Sequence, residues 1–498
     1  MKKIFLIFVV LFSFLGCEKE RENNSLIIAQ NGGPKTLDPQ MYNEIPALFI
    51  TKQIFNTLLT TNEKGEIIPE LAESFEYVND KEIIFKLRKG VKFHNNEELT
   101  VKDVIFSFKR MTTKPGSKIM VEDIKKIEEI DKYTFKILLK KPSAPLLYSL
   151  TYPLTAILNE KDTMEKNDEV AITPIGTGPF IFSDWGNGEK IVLLSNKDYF
   201  LGKSKLDKLT FRSIPEGSSR LAALESGEVD IATSVSSIDK GIIENNPLLN
   251  LVSESTTSTE ILYLNLKDKN FESKEVRQAI NYAIDKQSII DSLYLGVGKV
   301  ADTIINPKVF GSYQEGKKYE YNPEKAKELL KSVGKEKGLS LTIWTNDNVT
   351  RIQIAQIIQA NLKEVGIDLK IEVLEWGSYL QRSALGEHSI LLGGWVAGTS
   401  DADIVLYPLV HSASAGGGGN KSFYSNKIVD EYIEEGRKTS KIEDRKKAYK
   451  EVQTIIAEEL PIIPLFYKSD IIGVSKKVKN FKFAPSTIHN FYKVEKEL

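Results

Sequence analysis

Cysteine occurs once in this 498-residue chain, at Cys17. No intrachain disulfide can form, and no cysteine-ligated metal can staple the chain. Everything that folds must therefore be held by apolar burial, hydrogen bonding and ion pairs. Hydrophobic residues make up 41% of the chain, enough for such cores. The length is too great for one core and implies about three domains or lobes.

The chain opens with Lys2 and Lys3, an apolar run from Ile4 to Leu15 broken only by Ser13, and then Gly16-Cys17. This is the order of a secretory signal. The run is shorter than the roughly 20 apolar residues that span a bilayer, so cleavage is expected. Cys17, directly after Gly16, resembles the lipidated first residue of a lipoprotein, with Phe14 where leucine is usual. The alternative is an ordinary signal peptide that leaves a free thiol. Glu18 to Asn24 reads as a polar tether with no apolar face to bury. No second long apolar stretch follows. The 67 basic and 68 acidic residues balance to a net charge of −1, which leaves no electrostatic footprint for nucleic acid.

The remainder alternates strands and helices. Leu339 to Thr345 reads as a strand. Arg351 to Val365 places Ile354, Ile357, Ile358 and Leu362 on one helical face and stops at Gly366. Ile367 to Val373 then alternates with period two, completing a βαβ unit. Asn322-Pro323 starts a helix that Gly334 closes. Thr100 to Asp103 and Ser440 to Glu443 have capping-box spacing, and Glu275 to Ser292 carries an apolar stripe of helical period. Glu82 to Leu139 differs, with short strands Ile83 to Leu87 and Thr134 to Leu139 around one helix. The architecture is α/β lobes with a smaller α+β domain inserted, and no internal repeat.

Convergent catalytic chemistry is missing. His94, His388, His411 and His489 lie far apart, none in a metal-ligand spacing such as H-E-x-x-H, and each reads as a loop or surface residue. No G-x-S-x-G elbow occurs. Gly416 to Ser422 contains glycines, Lys421 and Ser422, but a phosphate loop needs glycine directly before the lysine and a helix after the serine. Asn420 precedes Lys421, and Phe423-Tyr424 opens no apolar helix. Gly416 to Gly419 reads as a flexible loop. No metal site, no cofactor and no enzyme activity are expected.

Several segments in order resemble the family 5 extracellular solute-binding proteins of bacterial ABC transporters, a group of dipeptide, oligopeptide, glutathione and nickel binders. They are Gly33 to Pro39, Gly90 to His94 with Thr100 to Val104, Pro174 to Phe180, Asn196 to Phe200, Gly227 to Ile231, Val276 to Lys286, and Gly394-Trp395 with Asp401. Most of these positions read as fold rather than site. Arg277 and Asp285 are taken as structural ion partners, and Thr177-Gly178-Pro179 as a tight turn.

The resemblance implies an α/β, two-lobed periplasmic-binding-protein fold of the large peptide-binding type. Residues 1–16 would be the lipoprotein signal peptide and 17–24 the tether. The first lobe would hold 25–58, 172–262 and 470–498, the inserted domain 59–171, and the second lobe 263–469. The lobes would close over cargo held by main-chain hydrogen bonds as an added strand. The matching positions are Asn43, Glu44 and Ile45 in the first lobe and Gly394, Trp395, Val396 and Ala397 in the second, where glycine permits close approach.

Charge anchors for peptide ends depart from the pattern. Gly398 stands where many relatives place an aspartate for the peptide ammonium group, while Asp401 is retained, followed by Ala402 in place of proline and by Asp403. The arginine that grips the peptide carboxylate in dipeptide binders has its matching place at Thr345, with Arg351 nearby. Losing one partner of a buried charge pair costs about 2 to 5 kcal/mol, so a strict dipeptide role is disfavoured. Asp401, Asp403 and Glu44 could instead form a cation site, or be exposed loop carboxylates. The resemblance thus implies a monomeric, extracytoplasmic lipoprotein, periplasmic in a two-membrane cell, that delivers oligopeptides to ABC permease subunits with cytoplasmic ATPases. A non-peptide solute such as a nickel complex, haem or glutathione stays open, as does a peptide-sensing receptor. A secreted hydrolase would need a nucleophile and base that the chain does not display.

Overall fold

In the computed structural model, which describes residues 24–62, 65–166, 170–186 and 188–497, the βαβ unit forms from Leu339–Asn346, Val349–Glu364 and Ile367–Leu374. Its strands run parallel, Leu339 opposite Ile367. A third strand, Ile390–Val396, joins in parallel through Ile343 and Trp344. Ile354, Ala355, Ile358 and Leu362 of the helix are fully buried against Leu341, Ile343 and Leu369, as the helical periodicity requires. Cys17 and the signal and tether residues before Asn24 lie outside the described residues.

Two helix expectations shift. The apolar stripe from Glu275 to Ser292 belongs to two helices, Lys274–Ala283 and Lys286–Tyr294. Between them Ile284 is extended and Asp285 accepts from the Ser288 amide. An aspartate that competes for backbone donors ends one helix and caps the next. The Ser440 capping box is absent, because the helix Ile442–Glu459 starts one residue later, at an uncapped Lys441. The box at Thr100 and Asp103 does form.

The first lobe centres on Ser25–Gln30, which pairs in parallel with Lys208–Ser213 and with Ile231–Ala232. Phe49, Phe180, Phe211 and Phe491 fill its core. The inserted domain is a four-stranded antiparallel sheet packed on the helix Val101–Met111, with Phe85 stacked on Phe135 at 5.3 Å. Leu48 and Ile488 of the first lobe enter that core, which ties the two together.

Two long strands, Leu249–Leu264 and Ile462–Ser475, run through both lobes as an antiparallel pair. Their register holds from Leu249 opposite Ser475 to Ser255 opposite Ser469, slips, and resumes at Thr259 opposite Tyr467. Three residues thus face one, a bulge that bends the pair. From Ser258 to Leu264 the first strand also pairs with Ile390–Val396 of the second lobe. Pairing with the second-lobe strand thus begins at Ser258, just after the bulge.

Glycine is required sterically at the Gly176-Thr177-Gly178 turn, where Cβ atoms would stand 2.0 Å from the Ile54 carbonyl oxygen and 2.5 Å from that of Gln53. Gly176→Ala is therefore expected to lower the unfolding free energy by about 2 kcal/mol or more. Gly241→Ala, in the helix Lys240–Asn245 with open space around it, should raise it by about 0.5 to 1 kcal/mol. Urea denaturation of the two variants checks this. Equal effects would contradict the packing.

Candidate ligand cleft

In α/β sheets, ligands bind in crevices beyond the carboxyl ends of the strands, because loops and helix starts converge there. In the second lobe, Ile390–Val396 runs on past the end of its parallel neighbour Leu339–Asn346, and the helix carrying Arg351 begins just after Asn346. Asn348 caps that helix by accepting from the Arg351 amide. Arg351 Nε donates to Glu260 Oε1 at 2.7 Å, and Lys468 Nζ lies 2.6 Å from Glu260 Oε2. Glu260 is only 1% exposed, whereas the Lys468 side chain is 38% exposed. One buried carboxylate thus holds two cations, both on or beside the strands that link the lobes.

Gly394 lies opposite Glu260 in the paired strands. A Cβ there would stand 2.8 Å from Glu260 Oε2 and 3.3 Å from Arg351 Nη2. The glycine makes room for this chain's own ion pair. Past Leu391, the Ile390–Val396 strand loses its parallel neighbour, since pairing with Leu339–Asn346 covers only Ile390 and Leu391. One edge of the strand therefore has no strand partner from Leu392 to Val396 among the described residues, where Tyr379 donates its hydroxyl to the Leu392 carbonyl.

In the first lobe, the chain leaves Gln30 and returns through Asn43, Glu44 and Ile45 to the helix Ile45–Ile54. Glu44 pairs with Lys35 at 2.7 Å, and Ile45 is exposed. Asn43 accepts from the Tyr152 hydroxyl at 2.8 Å. A Cβ on Gly398 would lie 3.2 Å from that same hydroxyl. One tyrosine therefore brings the two expected binding segments together, and its ring fills the space in front of Gly398. Burial holds the phenol pKa well above its ordinary value, so it remains a neutral donor. Nearby, the inserted domain grips the second lobe. The Ala144 amide donates to the Arg437 carbonyl at 2.8 Å, and Tyr148 stacks on Phe310 at 5.6 Å.

Other expected site residues have structural partners. Trp395 is half-buried and donates its indole N–H to the Ile404 carbonyl at 2.7 Å, Val396 is exposed, and Ala397 is buried. Asp401 is buried, with Arg445 Nη1 and Nη2 at 2.8 and 3.0 Å. Asp403 faces Arg437 at 3.5 Å, and burial raises its carboxyl to about 7. With Glu44 on Lys35, the three acids neither form a cation site nor stand free. A buried carboxylate must be paired; Arg445 meets that need for Asp401, while Asp403, whose Oδ1 has no hydrogen bond, is pushed toward its neutral form. Thr345 is fully buried within its strand. Arg277 donates to the Phe271 and Glu459 carbonyls, so it does not pair with Asp285. No group of three or more metal-ligating side chains occurs among the described residues.

All four histidines lie outside helices and strands; His388, His411 and His489 are buried and His94 is half-buried. His94 accepts from the Gly176 amide and faces the Gly178 carbonyl at 3.0 Å, which fixes its tautomer. Glu260, Lys468 and Tyr152 are absent from the sequence expectations. The one available signal was an acid, Glu260, opening the apolar run Ile261-Leu262-Tyr263-Leu264, where it demands a cation. A cavity of about 600 Å³ lies elsewhere, against Ile181 of the edge strand Phe180–Gly186 and Leu194 and Ser195 of its neighbour Lys190–Ser195.

The fold is that of a two-lobed binding protein. A family model for bacterial extracellular solute-binding proteins, family 5 middle, matches residues 66–417, and the chain belongs to that family of ABC-transporter binding proteins. It is 31% identical to di/tripeptide-binding protein 1 of Pseudomonas aeruginosa strain UCBPP-PA14, over 95% of this chain and 94% of that protein. It is 30% identical to heme-binding protein A of Haemophilus influenzae, over 96% and 93%. Among solved structures, it is similar to the ABC transporter-associated periplasmic binding protein DppA of Helicobacter pylori in complex with the peptide STSA. There the TM-score is 0.80 and the identity 35%, covering 95% of this chain and 98% of that one. The family is one of extracytoplasmic binding proteins, not enzymes.

Two predictions follow from these partners. Asp401→Asn should lower stability by about 3 kcal/mol or more by leaving Arg445 buried and unpaired. An unchanged denaturation midpoint together with lost ligand binding would instead make Asp401 a cargo contact. Burial lowers the imidazoles of His94 and His388 to about 4 and of His489 to about 3. The unfolded chain, at about 6.5, takes up these protons first, so their contribution to stability falls as pH drops from about 6.5 toward 4. Their C2–H resonances should hold neutral shifts from pH 8 to 5. A titration step near 6.5 in any of them would contradict the burial.

Proposed function

We propose that this chain captures oligopeptides between its lobes and delivers them to an ABC permease. The observation that carries the reading is the partnerless strand edge from Leu392 to Val396. An extended peptide can add there as a strand, with Gly394, Trp395, Val396 and Ala397 offering backbone groups and Asn43, Glu44 and Ile45 facing them from the first lobe. Arg351 stands beside this edge and is kept as a contact. Asp401 is not kept, since Arg445 holds both its oxygens.

Main-chain pairing is blind to side-chain identity, so mixed sequences should bind. The similar structure that holds STSA, a peptide of four residues, supports cargo longer than a dipeptide. Contacts from both lobes coexist only when the cleft is closed, so cargo shifts the population toward closure by its differential affinity. The bulge at 255–259 and the crossing at 467–469 are the hinge. In this reading the chain works as a monomer, and a lipid on Cys17 holds it near the permease.

A second reading, a dedicated non-peptide solute, is supported by the 30% identity to a heme-binding protein. Native mass spectrometry of protein purified from its producer separates the two. A ladder of masses fitting peptides of several residues is expected. A single discrete ligand mass would overturn the oligopeptide reading.

A further inference from the structure

The inserted domain and the second lobe meet at one buried arginine. Arg437, near the end of the helix Lys427–Lys438, is shared there by an acid from each side. Its Nε stands 3.5 Å from Oδ1 of Asp403, within the second lobe, and its Nη2 donates to Asp123 Oδ2 of the inserted domain at 3.5 Å. The Ser143 hydroxyl donates to the same Asp123 oxygen at 2.7 Å, and the Ala144 amide donates to the Arg437 carbonyl. The guanidinium also lies over the Tyr407 ring at 4.1 Å, which holds it between the two acids.

This contact is short of hydrogen bonds. Asp403 Oδ1 and Arg437 Nε are both buried and make none. The charged groups facing Asp403 are Arg437, Asp123 and the Asp401–Arg445 pair, in which Arg445 also donates to the Tyr449 hydroxyl. That pair is satisfied within itself. An ionised Asp403 thus depends on a guanidinium that it holds loosely and shares with Asp123, which Lys141 approaches only to 4.0 Å. A buried carboxylate so placed is relieved by a proton, and burial, ahead of the opposing pull of Arg437, puts it at about 7. The inserted domain moves with the first lobe, whose Leu48 and Ile488 lie in its core. When it withdraws, water reaches this contact and Asp123 releases Arg437 to Asp403. Both changes favour the ionised carboxylate.

We propose that closing of the cleft takes up a proton at Asp403, so that cargo is held more tightly as pH falls through neutrality and is released more readily as pH rises. The inference rests on the lobes closing over cargo, and it names a regulator of that step outside the cargo-binding segments. Its sign follows from linkage. The closed state has the higher carboxyl pKa and binds more protons than the open state, so its advantage is full at low pH and is lost as pH rises through the closed-state value. Asp123 is a positioning residue, because it draws Arg437 away from Asp403. His411, which also senses Arg437 and Lys141, has the opposite tendency, since burial lowers its imidazole.

The test is calorimetric titration with the tetrapeptide STSA at pH 6 and 7.5, where the peptide's own amine stays mostly protonated. Wild-type affinity should be about fivefold higher at pH 6, and heats at pH 7 in buffers of different ionisation enthalpy should show uptake of about half a proton. Asp403→Asn, a neutral copy of the protonated acid, should bind at both pH values as tightly as the wild type does at pH 6, which a merely structural role would not produce. Asp123→Asn should shrink the pH effect, and His411→Gln should keep it. Wild-type affinity that is equal at the two pH values, or higher at 7.5, would overturn the proposal. So would a full pH effect in Asp403→Asn, which would move the proton to another acid such as Asp470, pushed up by burial to about 6. If STSA does not bind, the peptide reading fails separately, and the ligand retained in native mass spectrometry takes its place. Release slower at pH 6 than at 7.5 in the wild type but not in Asp403→Asn sustains the proposal, and equal release overturns it.

Discussion

Two strands that belong to both lobes govern how this molecule can work. Leu249–Leu264 and Ile462–Ser475 pair on each side of a bulge, where Thr256 to Ser258 face little more than Lys468. Backbone groups in that gap find other partners. The Thr257 amide donates to the Pro485 carbonyl, its carbonyl accepts from Ala397, and Thr256 Oγ1 donates to the Lys468 carbonyl. A paired two-strand link resists stretching, yet the bulge concentrates bending at a few residues. In the proposed reading this link is the hinge about which the lobes close.

Glu260 is the side chain in that place with the most demanding chemistry. A carboxylate cannot be desolvated without cations, and the two it recruits come from different directions, Arg351 from a helix start and Lys468 from the partner strand. For Arg351, burial lowers the guanidinium pKa, but the charge and hydrogen bond of Glu260 prevail and the net shift is upward. The ion cluster also accounts for Gly394, whose missing side chain is where the carboxylate and guanidinium lie. The spacing of these strands around Gly394 is therefore a consequence of that contact.

Much of the architecture was legible because it rests on periodicity. The 339–373 unit, the Thr100 capping box and the distinct inserted sheet follow from local patterns of apolar and capping residues. The helix break at Asp285 was less visible, since the apolar stripe continues in phase across it and only the cap announces it. The site was harder to read, because its partners are distant in sequence. Glu260 and Arg351 are 91 positions apart, and Tyr152 and Asn43 are 109 apart. Asp401 shows the limit most clearly. An acid next to an expected contact segment gives no local sign that Arg445, 44 residues later, takes both of its oxygens. The histidines lie in loops as expected, yet three of them are buried, because polar side chains that bond to backbone groups can be buried without any motif.

The central claim is that cargo is held as an added strand at the base of the hinge. A crystal structure of the protein with its retained cargo tests this most directly. The account predicts an extended ligand whose main chain pairs with the edge from Leu392 to Val396, between lobes closed about residues 255–259. Density for the ligand outside the cleft, or a ligand in the cleft held without main-chain pairing to that edge, would contradict it.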